Sequence, residues 1–220
     1  MKIKVIITGA TGMVGEGVLL ECLEHPDVES ILLLNRKPSG YQHPKVKEIM
    51  HANFFDVTPI ADQLKGYDAC FFCLGVSSVG KKEEEYFRLS HTLTLHVAEV
   101  LAKQNPKMSF CYISGAHTDS TEKGRTMWAR VKGKVENDLQ KLPFARVYNF
   151  RPGYLHPTEG AKNTLPYYKY MSWAFPVLRK IFPNQVSTLK ELGLAMIYSV
   201  TKGTDKRILE VRDILELSSK

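Results

Sequence analysis

Lys2 to Thr8 is a nearly continuous β-branched run ending in glycine, the pattern of a strand buried on both faces of a parallel sheet. After the glycine turn that follows, Val14, Val18, Leu19, Cys22 and Leu23 recur at helical spacing until His25-Pro26-Asp27 ends the helix. Ser30 to Leu34, Val46 to Met50 and Ala69 to Leu74 read as the next strands, each followed by a polar or glycine-containing turn. Glu83 to Lys103 is a long helical pattern, with Phe87, Leu93, Val97, Val100 and Leu101 among the positions expected to be buried. Met108 to Ile113 is a fifth strand, Thr126 to Leu142 a further helix, and Ala145 to Phe150 a sixth strand before Arg151-Pro152-Gly153. This alternation predicts an α/β fold, a doubly wound parallel sheet of Rossmann type.

Beyond Gly153 the texture changes. Pro157, Pro166, Pro176 and Pro183 interrupt an aromatic-rich stretch from Tyr154 to Phe182, and a helix over Thr188 to Thr201 and a strand over Arg207 to Val211 close the chain. A length of 220 residues, 44% of them hydrophobic, suffices for a full core. The reading is one domain over 1–220, with residues 154–186 contributing a small C-terminal substrate lobe or lid. Trp173, Phe175 and Leu178 there either line an apolar pocket or cover the end of the sheet.

Thirty Lys and Arg against 23 Asp and Glu give a net charge of +7, scattered along the chain. That suits an anionic ligand and carries no sign of nucleic-acid binding. Met1 to Ile7 runs straight into the glycine turn without a signal-peptide pattern, and no stretch approaches the roughly 18 to 20 apolar residues of a membrane span. Tyr167 to Trp173, with Lys169, Arg179 and Lys180, has an interfacial composition, but Pro166, Pro176 and Pro183 rule out one long amphipathic helix, so membrane association is not expected. Cys22, Cys70, Cys73 and Cys111 lie in apolar stretches, where reduced thiols of a cytosolic protein sit, and a cytoplasmic location is the expectation. Cys70 and Cys73 have redox-motif spacing, yet on a strand residues three apart face opposite sides. The histidines and cysteines show none of the close pairings of a zinc site, so no metal is expected.

The strongest chemical signal is Thr8 to Gly15. Gly9 permits a tight turn, Gly12 lets the backbone approach a pyrophosphate, and Gly15 lets the helix pack closely on the strand. Thr11, Met13 and Val14 complete the turn at the helix N-terminus, which offers amide donors to an anion. Strand, turn, helix and second strand follow in the order a dinucleotide site requires. At the end of the second strand an NAD site presents an acid to the ribose, whereas Asn35-Arg36-Lys37 stands here. Arg36 can offer paired donors to a 2′-phosphate, with Asn35 beside it, so NADP(H) is preferred over NAD.

Together with Asn53 to Val57, Cys73-Leu74-Gly75, Ile113-Ser114-Gly115, Val131-Lys132-Gly133 and Arg151-Pro152-Gly153, these motifs resemble the atypical short-chain dehydrogenase/reductase superfamily, in particular its small NAD(P)-binding, epimerase-like members of the Tat-interacting-protein type. The resemblance spans Thr8 to Gly153. It implies that Asp56 and Val57 contact the adenine, that Leu74 and Gly75 lie against the adenosine ribose, that Lys132 holds the nicotinamide ribose, and that Pro152 and Gly153 border the nicotinamide. It also implies that Ser114 hydrogen-bonds a substrate carbonyl.

The chain departs from that pattern where chemistry matters most. Members that transfer hydride resemble one another in a Tyr four residues before the Lys, and Trp128 stands there. An indole N–H donates but has no accessible ionisation, so it cannot pass the proton a tyrosine would. His117 and Tyr154, both on segments expected at the carboxyl edge of the sheet, are the candidate substitutes. Two functions follow: a weak NADP-dependent oxidoreductase on an unknown apolar carbonyl, or a non-catalytic NADP(H) sensor presenting a cofactor-dependent surface to a protein partner.

Overall fold

The computed structural model describes residues 1–164 and 175–220. Strands β1 (Ile3–Thr8), β2 (Val28–Asn35), β3 (Val46–Met50), β4 (Ala69–Phe72), β5 (Ser109–Ile113) and β6 (Arg146–Arg151) pair in parallel. β7 (Tyr154–His156) and β8 (Val186–Thr188) form a small second sheet, and β9 (Ile208–Glu210) returns to the edge of the first. The order β3-β2-β1-β4-β5-β6-β9 places β1 and β4 side by side in the interior of the sheet, and the chain winds outward from β1 to one edge and from β4 to the other. In open α/β sheets ligands sit beyond the carboxyl ends of the strands where the winding reverses, here between β1 and β4.

The side-chain alternation of β1 explains the two layers. Ile3, Val5 and Ile7 pack with Val18, Leu19 and Cys22 of α1 (Met13–Glu24) and with Leu192, Ala195 and Met196 of the helix over Leu189–Thr201. Ile6 faces the other way, toward Val97 and Leu101 of the helix over Leu93–Gln104 and Val135 and Leu139 of the helix over Met127–Leu139. In chain order the remaining helices are α2 (Glu83–Phe87), α3 (Leu93–Gln104), α4 (Met127–Leu139), α5 (Phe175–Ile181), α6 (Leu189–Thr201) and α7 (Val211–Ser218). None among the described residues is long and apolar enough to cross a membrane. The aromatic run Tyr167 to Trp173 lies outside the described residues.

Three local readings change. The pattern over Glu83 to Lys103 is interrupted by a π-helical turn at Arg88–Thr92, which rotates the apolar face by an extra residue. Tyr86 is therefore the buried aromatic, while Phe87, expected in the core, is half-exposed and stacked on the His91 ring at 4.3 Å. The chain also continues past β9 into α7, opened by a reciprocal Glu210–Asp213 capping box and anchored by Val211, Ile214 and Leu217. The third is the β7–β8 pair, whose strands lie at the start of the proline-interrupted stretch and just beyond it. All four cysteines are free thiols, with Cys70 packed in one layer and Cys73 against the other.

Candidate functional site

The glycine turn is held by contacts that tolerate no side chain at two of its three glycines. Gly9 has φ +73°, and a Cβ there would meet the Cys73 carbonyl at 2.9 Å. A Cβ on Gly15 would lie 2.2 Å from the Gly9 oxygen, so α1 approaches the turn as closely as backbone allows. Gly12 differs: its nearest neighbour is 3.5 Å away, its backbone is extended, and it is exposed. Gly12 N–H donates to the Gly9 carbonyl at 3.0 Å and its own carbonyl accepts Glu16 N–H at 2.9 Å, which starts α1.

Beyond this turn lies a cleft of about 800 Å³. Gly9, Thr11 and Gly12 form its floor, Asn35 to Ser39 one wall, and Cys73, Leu74 and Gly75 another, with Ala52 and Asn163 completing it. Asn35 is buried. Its Nδ2 donates to Glu48 Oε1 at 2.9 Å, and its Oδ1 is buried without a partner. Arg36 and Lys37 are exposed on the wall, and neither forms an ion pair among the described residues. An unsatisfied buried acceptor, free cationic side chains and the open side of Gly12 fit a phosphate-bearing dinucleotide.

Other expected cofactor residues lie elsewhere. Met13 and Val14 pack their side chains against the core. The Asp56 carboxylate is turned onto the Thr58 N–H, at 3.0 Å, and the Thr58 hydroxyl, bonds that hold its pKa below the ordinary carboxylate value. The Val57 N–H donates to His96 Nε2 at 3.1 Å. Neither residue is on the cleft wall, where Ala52 stands instead.

Ser114, Pro152 and Gly153 follow the ends of β5 and β6, and Lys132 lies in the middle of α4 beside them. Gly133 sets this arrangement, because a Cβ there would overlap the Asp119 carbonyl, so α4 lies directly on the loop after β5. Lys132 Nζ donates to the Ser114 carbonyl at 2.7 Å and the Ile113 carbonyl at 3.3 Å. An ammonium has three protons, so one remains for a ligand. Burial pulls its pKa down to about 8, with the Glu136 carboxylate acting in the opposite direction. Ser114 Oγ is 2.8 Å from Thr118 Oγ1, which itself donates to the Gly115 carbonyl at 2.8 Å. Thr118 has one proton, so Ser114 is the donor in this pair and its lone pairs stay open.

Trp128 is half-buried one turn before Lys132, its ring 3.7 Å from where a Cβ would sit on Gly115. His117 is exposed on the loop after β5 with φ 67°, and Tyr154 opens β7, its N–H donating to the Gln185 carbonyl at 2.8 Å. Gly153 is required by that same pairing, since a Cβ would lie 2.2 Å from the Gln185 oxygen. None of these residues lies on the wall of the 800 Å³ cleft, so the structure draws two regions: a dinucleotide cleft over the turn, and a polar set beside it.

Sequence reasoning passed over four contributors. Arg151, placed after the sixth strand by the sequence, is the last residue of β6, and its guanidinium forks onto buried Glu136, at 2.9 Å from Nε to Oε1, and reaches Glu210 Oε1 at 3.1 Å, tying α4 and β9 to the end of β6. Glu136 lies one turn after Lys132 on α4, a spacing that the sequence offers. Glu16 and Asn163 also escape notice, because their meeting depends on a contact across most of the chain.

A Rossmann sheet with this glycine turn and adjacent Ser and Lys defines a dinucleotide-binding protein of the short-chain dehydrogenase/reductase type. Residues 5–126 match the NAD dependent epimerase/dehydratase family, and the chain belongs to that family. It is 28% identical over 153 residues to the rat Protein HTATIP2, covering 69% of this chain and 62% of that one. Against the Scheffersomyces stipitis Protein FMP52-2, mitochondrial, identity is 31% over 153 residues, 68% of this chain and 65% of the relative. The match thus spans just under two thirds of these relatives' length. In fold, it is similar to the Bordetella bronchiseptica enzyme WbmF in complex with NAD+, with a TM-score of 0.65 at 16% identity, covering 99% of this chain and 77% of that one.

The comparisons overturn one expectation. FMP52 relatives from several fungi are named mitochondrial proteins, against the cytoplasmic reading of this sequence. Reduced buried thiols and an unremarkable first strand belong to the fold, which is the same in either compartment.

Proposed function

We propose that the chain binds NADP(H) in the cleft and acts as a slow oxidoreductase on an apolar carbonyl, with residues 154–186 contributing a small substrate lobe or lid to one domain over 1–220. The observation that carries the cofactor choice is the end of β2, where Asn35 replaces the acid of an NAD site and Arg36 reaches the cleft with no carboxylate partner among the described residues. The bound cofactor supplies the hydride. The backbone of Gly9 to Val14 receives the pyrophosphate, with Gly15 seating α1. Leu74 and Gly75 flank the adenosine ribose, while Pro152 and Gly153 border the nicotinamide.

Lys132 directs its third N–H to the nicotinamide ribose. Ser114 turns its proton from Thr118 toward the substrate oxygen, and His117 or Tyr154 supplies the proton that Trp128 cannot. The test is a titration with NADPH and NADH of the wild type and Arg36→Ala. A charge-assisted bond is worth about 1.5–3 kcal/mol, so the variant should lose about ten- to a hundredfold in NADPH affinity and leave NADH unchanged. Equal losses for both cofactors, or none, would refute the assignment.

Trp128 favours a second reading, a protein that holds NADP(H) without turnover and offers a cofactor-dependent surface to a protein partner. A screen of carbonyls and quinones separates the two. NADPH consumption supports the oxidoreductase, whereas a flat trace with bound cofactor, and a pulldown that changes with NADPH, support the sensor.

A further inference from the structure

The glycine turn, the loop carrying Arg36 and the segment after β7 meet at a carboxylate that none of the cofactor motifs includes. Glu16 lies in the first turn of α1 and is fully buried. Its Oε1 accepts the Tyr41 hydroxyl at 2.6 Å and the Lys162 N–H at 2.9 Å, and its Oε2 accepts the Asn163 N–H at 2.7 Å. The Lys162 ammonium lies 4.6 Å from the centroid of the Tyr41 ring and closes the junction from outside. A carboxylate leaves water only when donors meet its lone pairs, and charge-assisted bonds of this kind fix the position of the groups that donate.

Both donor segments border the cleft. Tyr41 follows the Arg36 to Ser39 wall, and Asn163 is itself on the cleft surface with Thr11 and Gly12. Asn163 is half-buried, its backbone N–H is committed to Glu16, and its side-chain amide has no hydrogen-bond partner among the described residues. That amide presents two donors and an acceptor to whatever occupies the cleft. Glu16 does not line the cleft, so any influence it has on a ligand passes through the segments it holds.

We propose that Asn163 is a binding residue for the phosphate-bearing half of the dinucleotide and that Glu16 positions it, so that the segment leading out of β7 clamps the cofactor over the glycine turn. The proposal rests on the dinucleotide reading of the cleft. It makes the segment that leads toward the substrate side part of the cofactor site, with Glu16 as the joint between them.

The experiment titrates NADPH and 2′-phospho-ADP-ribose, which lacks the nicotinamide, into the wild type, Asn163→Ala, Asn163→Asp, Glu16→Gln and the Glu16→Gln/Asn163→Ala pair, with melting curves of each without ligand. Asn163→Ala should weaken both ligands about three- to tenfold at an unchanged melting temperature. Asn163→Asp, which sets a negative charge against the phosphates, should weaken them further, an effect a merely structural asparagine would not produce. Glu16→Gln should weaken both ligands, and adding Asn163→Ala to it should cost no more, because contacts acting as one unit are not additive. Wild-type affinity in Asn163→Ala, or equal affinities for Asn163→Ala and Asn163→Asp, would overturn the proposal even if Glu16→Gln fails to fold. Loss for NADPH alone would overturn the assignment to the phosphate half, and full additivity would remove Glu16 from it. If the wild type binds neither ligand, the dinucleotide reading itself falls.

Discussion

Gly12 and Gly15 should fail in opposite ways when each is given a methyl group. At Gly15 the new Cβ would lie 2.2 Å from the Gly9 oxygen and 2.5 Å from its carbonyl carbon, both backbone atoms held by the Cys73 contact behind them. Relief requires α1 to move away from β1, which opens the packing of Val18, Leu19 and Cys22. Overpacking of this kind costs about 1–3 kcal/mol, and about 2 kcal/mol in a chain of this size lowers the melting temperature by about 4–8 °C. At Gly12 the methyl finds its nearest neighbour at 3.5 Å and a backbone at φ −114°, ψ 162°, which alanine adopts freely. Reduced freedom of the unfolded chain offsets the poorer N-cap, so the stability of Gly12→Ala should stay within about 0.5 kcal/mol of wild type. The methyl then occupies the face left open for a ligand, and NADPH affinity should fall at least about tenfold. Thermal unfolding and fluorescence titration of both variants read this out. If Gly15→Ala melts with the wild type, or Gly12→Ala binds NADPH normally, the division of labour between the glycines is wrong.

Trp128→Tyr restores a proton donor one turn before Lys132 and should raise NADPH-dependent carbonyl reduction about a hundred- to ten-thousandfold; an unchanged rate in a variant that still binds NADPH would mean that the proton comes from elsewhere. Glu136→Ala leaves the Arg151 guanidinium buried without its main partner, a loss of about 3–5 kcal/mol in denaturant unfolding. For Lys132 the sign follows from a folded-state pKa lowered to about 8, below the ordinary lysine value of 10.5. The folded protein releases this proton first, so its contribution to stability rises with pH from about 8 to 10.5. Unfolding free energies of wild type relative to Lys132→Met should therefore increase across that window, and a constant difference would contradict the burial argument.

The strands were legible because both faces of the central sheet are apolar, which leaves little alternative to reading Lys2 to Thr8 or Ala69 to Phe72 as buried strands. The glycine turn was legible for a related reason: steric demands act on single residues, and Gly9 and Gly15 are where the backbone leaves no room. The π-helical turn at Arg88–Thr92 was not, since an extra residue in a helix changes which side chains are buried without changing the composition. The terminal α7 was hidden because the apolar residues of Arg207 to Val211 read as a short strand running through Val211, although Val211, Ile214 and Leu217 keep helical spacing. At the site, the Asn35-Arg36 pair could be read from order along the chain. The Glu16–Asn163 bond could not, because it joins positions 147 residues apart and has no local signature.

The far edge of the main sheet has a bearing on how the protein behaves at high concentration. β9 contributes only Ile208, Leu209 and Glu210, and the chain turns at once into α7. A row of unpaired backbone groups is what recruits a strand from another molecule, and this row is three residues long, preceded by Lys206 and Arg207. The sheet therefore ends before a foreign strand could gain a lasting hold, and fibrous association through this edge is discouraged by brevity and charge together.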